Sequence, residues 1–257
     1  MLTQLVAGAR EDATARSELL SLDELESCAR AVVPALDALA LLAPADSVKI
    51  IAEIKRASPS RGTLADIPQP ADLAAQYERG GASAISVLTE GRKFGGSLDD
   101  LRAVRGAVTI PVLRKDFIST AYQVFEARAA GADIVLLIVA ALTDEELSGL
   151  YALITDLGMA ALVEAHSADE VDRAVAIGAH LIGVNARDLS TFELDRELFG
   201  TLVDRMPQGT IKVAESAVRT AADVAHYRRA GADVVLVGEA LVTGGDPVAA
   251  LREFRSV

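Results

Sequence analysis

Short apolar runs recur along the chain, and the segments between them carry apolar residues at helical spacing. Eight runs read as β-strands: "KIIAEIK", "SAISVL", "IPVLRKDF", "ADIVLLI", "AALVEAH", "HLIGVN", "IKVAES" and "ADVVLVG". Segments such as "DEELSGLYALITDLG" and "TAADVAHYRRAG" read as the helices between them. Four runs are introduced alike, by "RGGASAISVL", "AAGADIVLLI", "AIGAHLIGVN" and "RAGADVVLVG". Their glycines, Gly81, Gly131, Gly178 and Gly231, stand 50, 47 and 53 residues apart. A glycine closing a helix suits the left-handed C-cap that other residues resist.

Strand alternating with helix implies parallel strands joined by right-handed crossovers. Eight such units predict an α/β fold, a (β/α)₈ TIM barrel whose units come in pairs of about fifty residues. A doubly wound open sheet is the structural competitor. It would bring a glycine-rich first turn, and "KRASPSRG" is not G-x-G-x-x-G. Nor does the chain hold a Walker sequence, Cys/His metal spacing or a G-x-S-x-G elbow.

Ahead of the first strand, "AGAREDATARSELL" and "SLDELESCARAVV" read as two helices, the second with Ser21 as N-cap. The expected organisation is one domain over residues 1–257. Residues 1–46 form a helical extension capping the barrel, and 47–257 form the barrel itself.

The net charge of −12, with no basic run, argues against nucleic-acid binding. An anionic substrate must then be held by a local cluster of cations or helix N-termini. The single cysteine, Cys28, excludes an internal disulfide, fits a reducing cytoplasm and is expected to be buried and inert. The start lacks the pattern of a signal peptide, and the apolar run Ile134 to Leu142 is too short to span a bilayer. The expectation is a soluble cytoplasmic protein without membrane or nucleic-acid partners, as a monomer or weak homo-oligomer.

Within "IIAEIKRASPSRG", Glu53 and Lys55 interrupt a core strand. Two residues apart, they share one face at about 6.6 Å along the strand. Barrel chemistry sits at the C-terminal ends of the strands. Those ends offer Glu53 and Lys55, then Lys115 with Phe117, then Glu164, then Asn185 with Arg187, and finally Glu215. Charges converging on one rim must be paired if buried. They read either as structural ion pairs plugging the mouth or as an active site, which better accounts for six of them. Only five of the 25 basic residues are lysines, and two lie in this cluster. Lysine, unlike arginine, can serve as a general acid. Lys115 is expected to titrate below its solution value. His166 is expected to face outward or cap its strand, and His180 and His226 have no assigned role. For phosphate, "AESAVRT" and "VGEALVTGGDP" offer Ser216 and the backbone near Gly238.

With "SVLTEGRKFGGSLDDL", "LRKDFI", "LVEAHSADEV", "GVNARDLSTFELD", "VAESAV" and "VGEALV" added, the sequence resembles the indole-3-glycerol phosphate synthase family from about residue 5 to residue 250. The resemblance implies a carboxy-lyase of tryptophan biosynthesis. It would close the ring of 1-(2-carboxyphenylamino)-1-deoxy-D-ribulose 5-phosphate with loss of carbon dioxide and water, using no metal or organic cofactor. It implies Lys115 as general acid, Glu164 and Lys55 in proton transfer, and Glu53 orienting the lysines. Asn185, Arg187 and Glu215 would orient substrate and catalytic groups. Phe94, Phe117 and Leu189 would meet the aromatic ring, and Ser58, Pro59 and Ser60 would form a mobile first loop. Lys55, Ser216 and Gly238 would take the phosphate. Glu239 stands where the family often has a small residue, and Val242 where it often has Met. The alternatives are another phosphosugar barrel isomerase and a phosphate-binding barrel without catalysis.

Overall fold

The computed structural model describes residues 1–188 and 191–257. Its strands are β1 (Lys49–Ile54), β2 (Ala84–Leu88), β3 (Val112–Lys115), β4 (Ile134–Ile138), β5 (Ala160–Ala165), β6 (Leu181–Asn185), β7 (Ile211–Glu215) and β8 (Val234–Val237). They close into one parallel barrel, with β1 paired to both β2 and β8. This is the (β/α)₈ TIM barrel the repeat predicts and not a doubly wound sheet; the first loop adds only a two-stranded antiparallel ladder, Ala57–Ser58 against Gly62–Thr63. Gly81, Gly131, Gly178 and Gly231 all take positive φ, between 75° and 99°, where each helix hands over to its strand.

Alternation along the strands sorts the core into two layers. Ile51, Leu113, Ile134, Leu136, Leu162, Leu181, Val213 and Leu236 belong to one apolar cluster with Ala38, Leu42 and Leu5 from before the barrel. Their strand neighbours Ile50, Ala52, Val112, Val135, Val163 and Ile182 join the helices in the larger second cluster. Every strand residue of β2, β4, β5 and β6 is buried, as befits a parallel sheet covered on both sides.

Three helices precede β1: α1 (Leu2–Ser17), α2 (Leu22–Ala31) and α3 (Ala38–Leu42). Ser21 caps α2 in a full capping box with Glu24. The short α3, capped by Asp37, was not legible in the hydrophobic pattern. α1 lies along the rim at the C-terminal ends of the strands. Arg10 donates to Ser119 (2.8 Å) and Glu146 (2.9 Å), and Asp12 accepts from Arg92 at 2.6 Å. Its Arg16 joins Glu126, which also pairs with the fully buried Arg114 (3.4 Å). Cys28 is exposed, contrary to expectation. α2 buries Leu25 and Ala29 against Phe125, and Cys28 faces away.

Candidate active site

The strand ends bring the expected charges into one cavity. Lys115, the last residue of β3, places Nζ 3.0 Å from Glu164 Oε2 and 3.3 Å from Glu215 Oε2. Glu164 also accepts from Asn185 Nδ2 at 3.2 Å, and Asn185 Oδ1 accepts from the Ser216 hydroxyl at 2.8 Å. Register explains the meeting, since Asn185 stands level with Glu215 across β6 and β7. On β1, Glu53 Oε1 holds Lys55 Nζ at 2.8 Å, and Ser86 donates to its other oxygen at 3.3 Å. Glu53, Glu164 and Glu215 are all buried, so these contacts are made in low dielectric, where charges interact strongly.

Two glycines make room for the carboxylates. A Cβ on Gly183, inside β6, would collide with Glu215 Oε1. One on Gly238 would lie 2.6 Å from Glu53 Oε1 and 3.1 Å from Lys55 Nζ. Gly238 thus serves the Glu53–Lys55 pair directly.

The electrostatics split the carboxylates. Burial pushes Glu164 upward, but Lys115 and His166 outweigh it and hold this carboxyl well below the usual range. Glu53 is held down likewise, burial being overcome by Lys55 and Lys115. Glu215 has the opposite fate: burial, together with the Glu164 charge, pushes it up to about 8 against the pull of Lys115. It makes no aligned hydrogen bond despite its 3.3 Å approach to Lys115. The site therefore holds an ionised Glu164 beside a protonated Glu215 at neutral pH, the arrangement that separates base from acid. The expectation that Lys115 titrates low is overturned. Burial alone would lower it, but Glu164, Glu215 and Glu53 together raise it above its ordinary value.

An apolar wall faces these charges. Phe94 and Phe117 stand with ring centroids 6.1 Å apart, tilted at 42°. The buried Glu90 places Phe94 by accepting the N–H groups of Arg92 (2.9 Å), Lys93 (2.7 Å) and Phe94 (2.9 Å). Phe117 N–H is held by its neighbour Asp116 at 2.8 Å.

Every candidate catalytic residue (Lys115, Glu164, Lys55, Glu53, Asn185 and Glu215) lines this cavity, as do Ser58, Pro59, Ser60, Phe94, Phe117, Arg187, Ser216 and Glu239. Gly238 borders an adjoining polar recess shared by Lys55, Arg187, Ser216, Arg219 and Glu239. Leu189 lies outside the described residues. Sequence reasoning missed Leu5, Leu88, Asp116, Leu136, Ile138, Phe192 and Leu236, which also line the cavity. Inward alternation could have found those on strands. Leu5 and Phe192 arrive from segments whose path no local pattern gives.

Two further departures stand out. His166 does not face outward: its side chain is only 11% exposed, with Nε2 3.3 Å from Glu164 Oε1. Glu239 turns its carboxylate to Arg61 of the first loop at 3.1 Å. In the recess, Ser216 and Ala217 both take positive φ, 69° and 57°, a conformation costly for residues with a Cβ. Among the described residues no group of three or more His, Cys, Asp or Glu side chains could hold a metal ion, and no helix is long and apolar enough to cross a membrane.

Comparison with known proteins follows the geometry. The family profile described as "Indole-3-glycerol phosphate synthase" matches residues 2–254. The indole-3-glycerol phosphate synthase of Leifsonia xyli subsp. xyli is 66% identical over 257 residues, covering 100% of this chain and 98% of that one. Its counterpart in Kineococcus radiotolerans is 55% identical, covering 99% of this chain and 94% of that one. Among solved structures, a 3-hexulose-6-phosphate synthase superposes with a TM-score of 0.64 at 20% identity, over 81% of this chain and 99% of that one. That last likeness is one of fold alone.

Proposed function

The chain belongs to the indole-3-glycerol phosphate synthase family, and we propose that its rim cluster divides the ring-closing reaction between Lys115 and Glu164. The reaction is the decarboxylating and dehydrating closure of 1-(2-carboxyphenylamino)-1-deoxy-D-ribulose 5-phosphate to indole-3-glycerol phosphate. Carbon–carbon bond formation is the first task. The ring carbon bearing the carboxylate attacks the ribulose carbonyl, and Lys115 gives the carbonyl oxygen its proton. The ionised carboxylates of Glu164 and Glu53 keep Lys115 charged at rest, so it meets the substrate as an acid. Attack leaves a non-aromatic ring, and departure of carbon dioxide restores aromaticity.

Dehydration is the second task. A hydroxide must leave as water and a proton must be taken from the new ring. Glu164, held ionised, is the carboxylate in this cavity suited to accept that proton. Glu215, neutral at the same pH, can supply one to the leaving hydroxyl. Glu53 orients Lys55, which carries positive charge toward the recess where Arg187 and Ser216 also stand. Phosphate is read into that recess, with the anthranilate ring packed against Phe94 and Phe117 and with Ser58, Pro59 and Ser60 closing over both. Asn185 fixes Glu164 and Ser216 at once.

We also read residues 1–257 as one barrel domain with 1–46 as its extension, supported by the cluster that joins Ala38 and Leu42 to the strands. A cytoplasmic monomer or weak homo-oligomer without nucleic-acid partners is the accompanying proposal. The charge of −12 and an unpaired, exposed Cys28 support it.

The observation that carries the division of roles is the Lys115–Glu164–Glu215 contact inside the cavity. Its test is the fluorescence of indole formation on mixing purified protein with the substrate, first for the parent and then for Glu164→Gln. Parent turnover that collapses in the variant, with substrate still bound, supports the assignment. Parent-like turnover in the variant contradicts it.

A further inference from the structure

Strand β5 ends in Glu164-Ala165, and His166 follows. Two residues apart, Glu164 and His166 point to the same side of the strand. The imidazole is mostly enclosed, its side chain 11% exposed, and its two nitrogens face two carboxylates. Nε2 lies 3.3 Å from Glu164 Oε1, and Nδ1 lies 3.4 Å from Glu170 Oε2. Glu170 is itself fixed. It sits in the first turn of the following helix, α4 (Ala168–Ala176), its N–H bonded to the Ser167 cap at 3.3 Å. The same Glu170 Oε2 accepts the His166 backbone N–H at 2.8 Å. The start of α4 thus sets the ring plane, and the ring meets Glu164 at the oxygen that Lys115 does not hold.

The surrounding charges leave the imidazole one stable state. From its own strand it faces Glu164, and from α4 it faces Glu170. Asn185 of β6 and Lys115 of β3 reach it only through Glu164, the first by Oε1 and the second by Oε2. Arg173, the basic residue of α4, is turned elsewhere, to the carbonyls of Val139 (3.1 Å) and Leu142 (2.7 Å) and to Asp144 (2.6 Å). Burial pushes the ring down, yet the two carboxylates raise it to about 10. His166 is therefore an imidazolium at neutral pH, and no step so far uses it.

We propose that His166 is a positioning residue for ring closure: clamped by Glu170, its imidazolium orients Glu164 and keeps it ionised as the proton acceptor. The inference rests on the reading of Glu164 given above. Its physical need follows from the reaction itself. When Lys115 passes its proton to the substrate oxygen, Glu164 loses its strongest cation in mid-turnover. Without a second positive charge, a buried carboxylate beside Glu215 would take up a proton and stop accepting. His166 supplies that charge without touching substrate, since it does not line the cavity.

The test compares pH profiles of kcat for the parent, His166→Asn, Glu170→Gln and Glu164→Gln. Ionised Glu164 is required for turnover, so activity falls on the acid side as Glu164 is protonated. Loss of the imidazolium raises the Glu164 pKa, so the acid limb moves upward, by about one pH unit or more in His166→Asn and less in Glu170→Gln. Turnover of His166→Asn at neutral pH is expected to fall about tenfold, with KM changed less than kcat. An acid limb identical to the parent's in His166→Asn, alongside an inactive Glu164→Gln, overturns the positioning role while leaving the Glu164 reading intact. An active Glu164→Gln overturns that reading itself. Should His166→Asn fail to fold, Glu170→Gln keeps the ring and carries the same comparison. ¹⁵N NMR of the parent at pH 8 gives an independent check: both ring nitrogens protonated supports the proposal, and a neutral ring overturns it.

Discussion

Arg61 and Glu239 face each other across the mouth of the barrel, Nη2 3.1 Å from Oε1, joining the first loop to the turn after β8. Glu239 also borders the polar recess with Lys55, Arg187 and Arg219. The pair is partly exposed, so its own contribution to stability is small. Its consequence lies in binding, because a carboxylate in that recess opposes an incoming phosphate dianion. Glu239→Ser is expected to lower KM about threefold or more with kcat nearly unchanged, since two charges near 4–6 Å in partly solvated surroundings interact by about 1 kcal/mol or more. Steady-state kinetics at low and moderate salt checks this. A raised KM would show instead that Glu239 aids closure of the first loop.

Ala217 follows Ser216 in a left-handed turn, at φ 57°. Glycine adopts that conformation without the Cβ clash, though it also loosens the unfolded chain. Ala217→Gly is expected to raise stability by about 0.5–1 kcal/mol, or roughly 2 °C in Tm for a chain of this size. Thermal denaturation decides it, and a lowered Tm would mean that the Ala217 methyl packs more usefully than the strain costs.

Glu215 links pH to stability. Its carboxyl titrates near 8 when folded and near the ordinary 4.5 when unfolded, so the native state holds the extra proton between those values. The stabilisation is complete below the unfolded pKa and is lost as pH rises through about 8. Glu215→Gln, which cannot ionise, should flatten this decline between pH 5 and 9. Denaturant unfolding across that range measures it. An equally steep decline in the variant would place the titration elsewhere.

Cys28 should react with a thiol reagent in the native protein as fast as in the unfolded one, because its helix turns it to solvent. Full protection until denaturant is added would contradict the packing of α2 through Leu25 and Ala29.

Much of this was written in local pattern. The Gly-Ala punctuation announced four of the eight strands, because a helix ending in a left-handed glycine has few other residues to use, and the apolar runs between them gave the other four. The inward charges were legible because alternation is strict, so Glu53 and Lys55, or Asn185 and Arg187, had to share a face. The same spacing applied to Glu164 and His166, yet His166 was read as outward or as a strand cap, since the first turn of the next helix decides where a strand-end ring can go. Lys115 was read as titrating low because burial was visible in the sequence and its three carboxylate neighbours were not. Those neighbours meet only through the barrel register. Leu5 and Phe192 reach the cavity from a distant helix and a loop, and Glu90 shapes the Phe94 turn through side-chain bonds to backbone. None of these leaves a periodic trace. Gly183 could have been suspected, as a glycine inside a buried strand invites something large beside it.

The most direct test of the account is Lys115→Met, which keeps the aliphatic stem and removes the ammonium. Single-turnover indole fluorescence and calorimetric binding of the substrate would be measured side by side. Ring closure should fall by a factor of about 10² to 10⁴, as expected for loss of a general acid, while the dissociation constant changes only a few-fold. Ring closure at the parent rate, or a loss explained wholly by weaker binding, would contradict the assignment of the acid to Lys115.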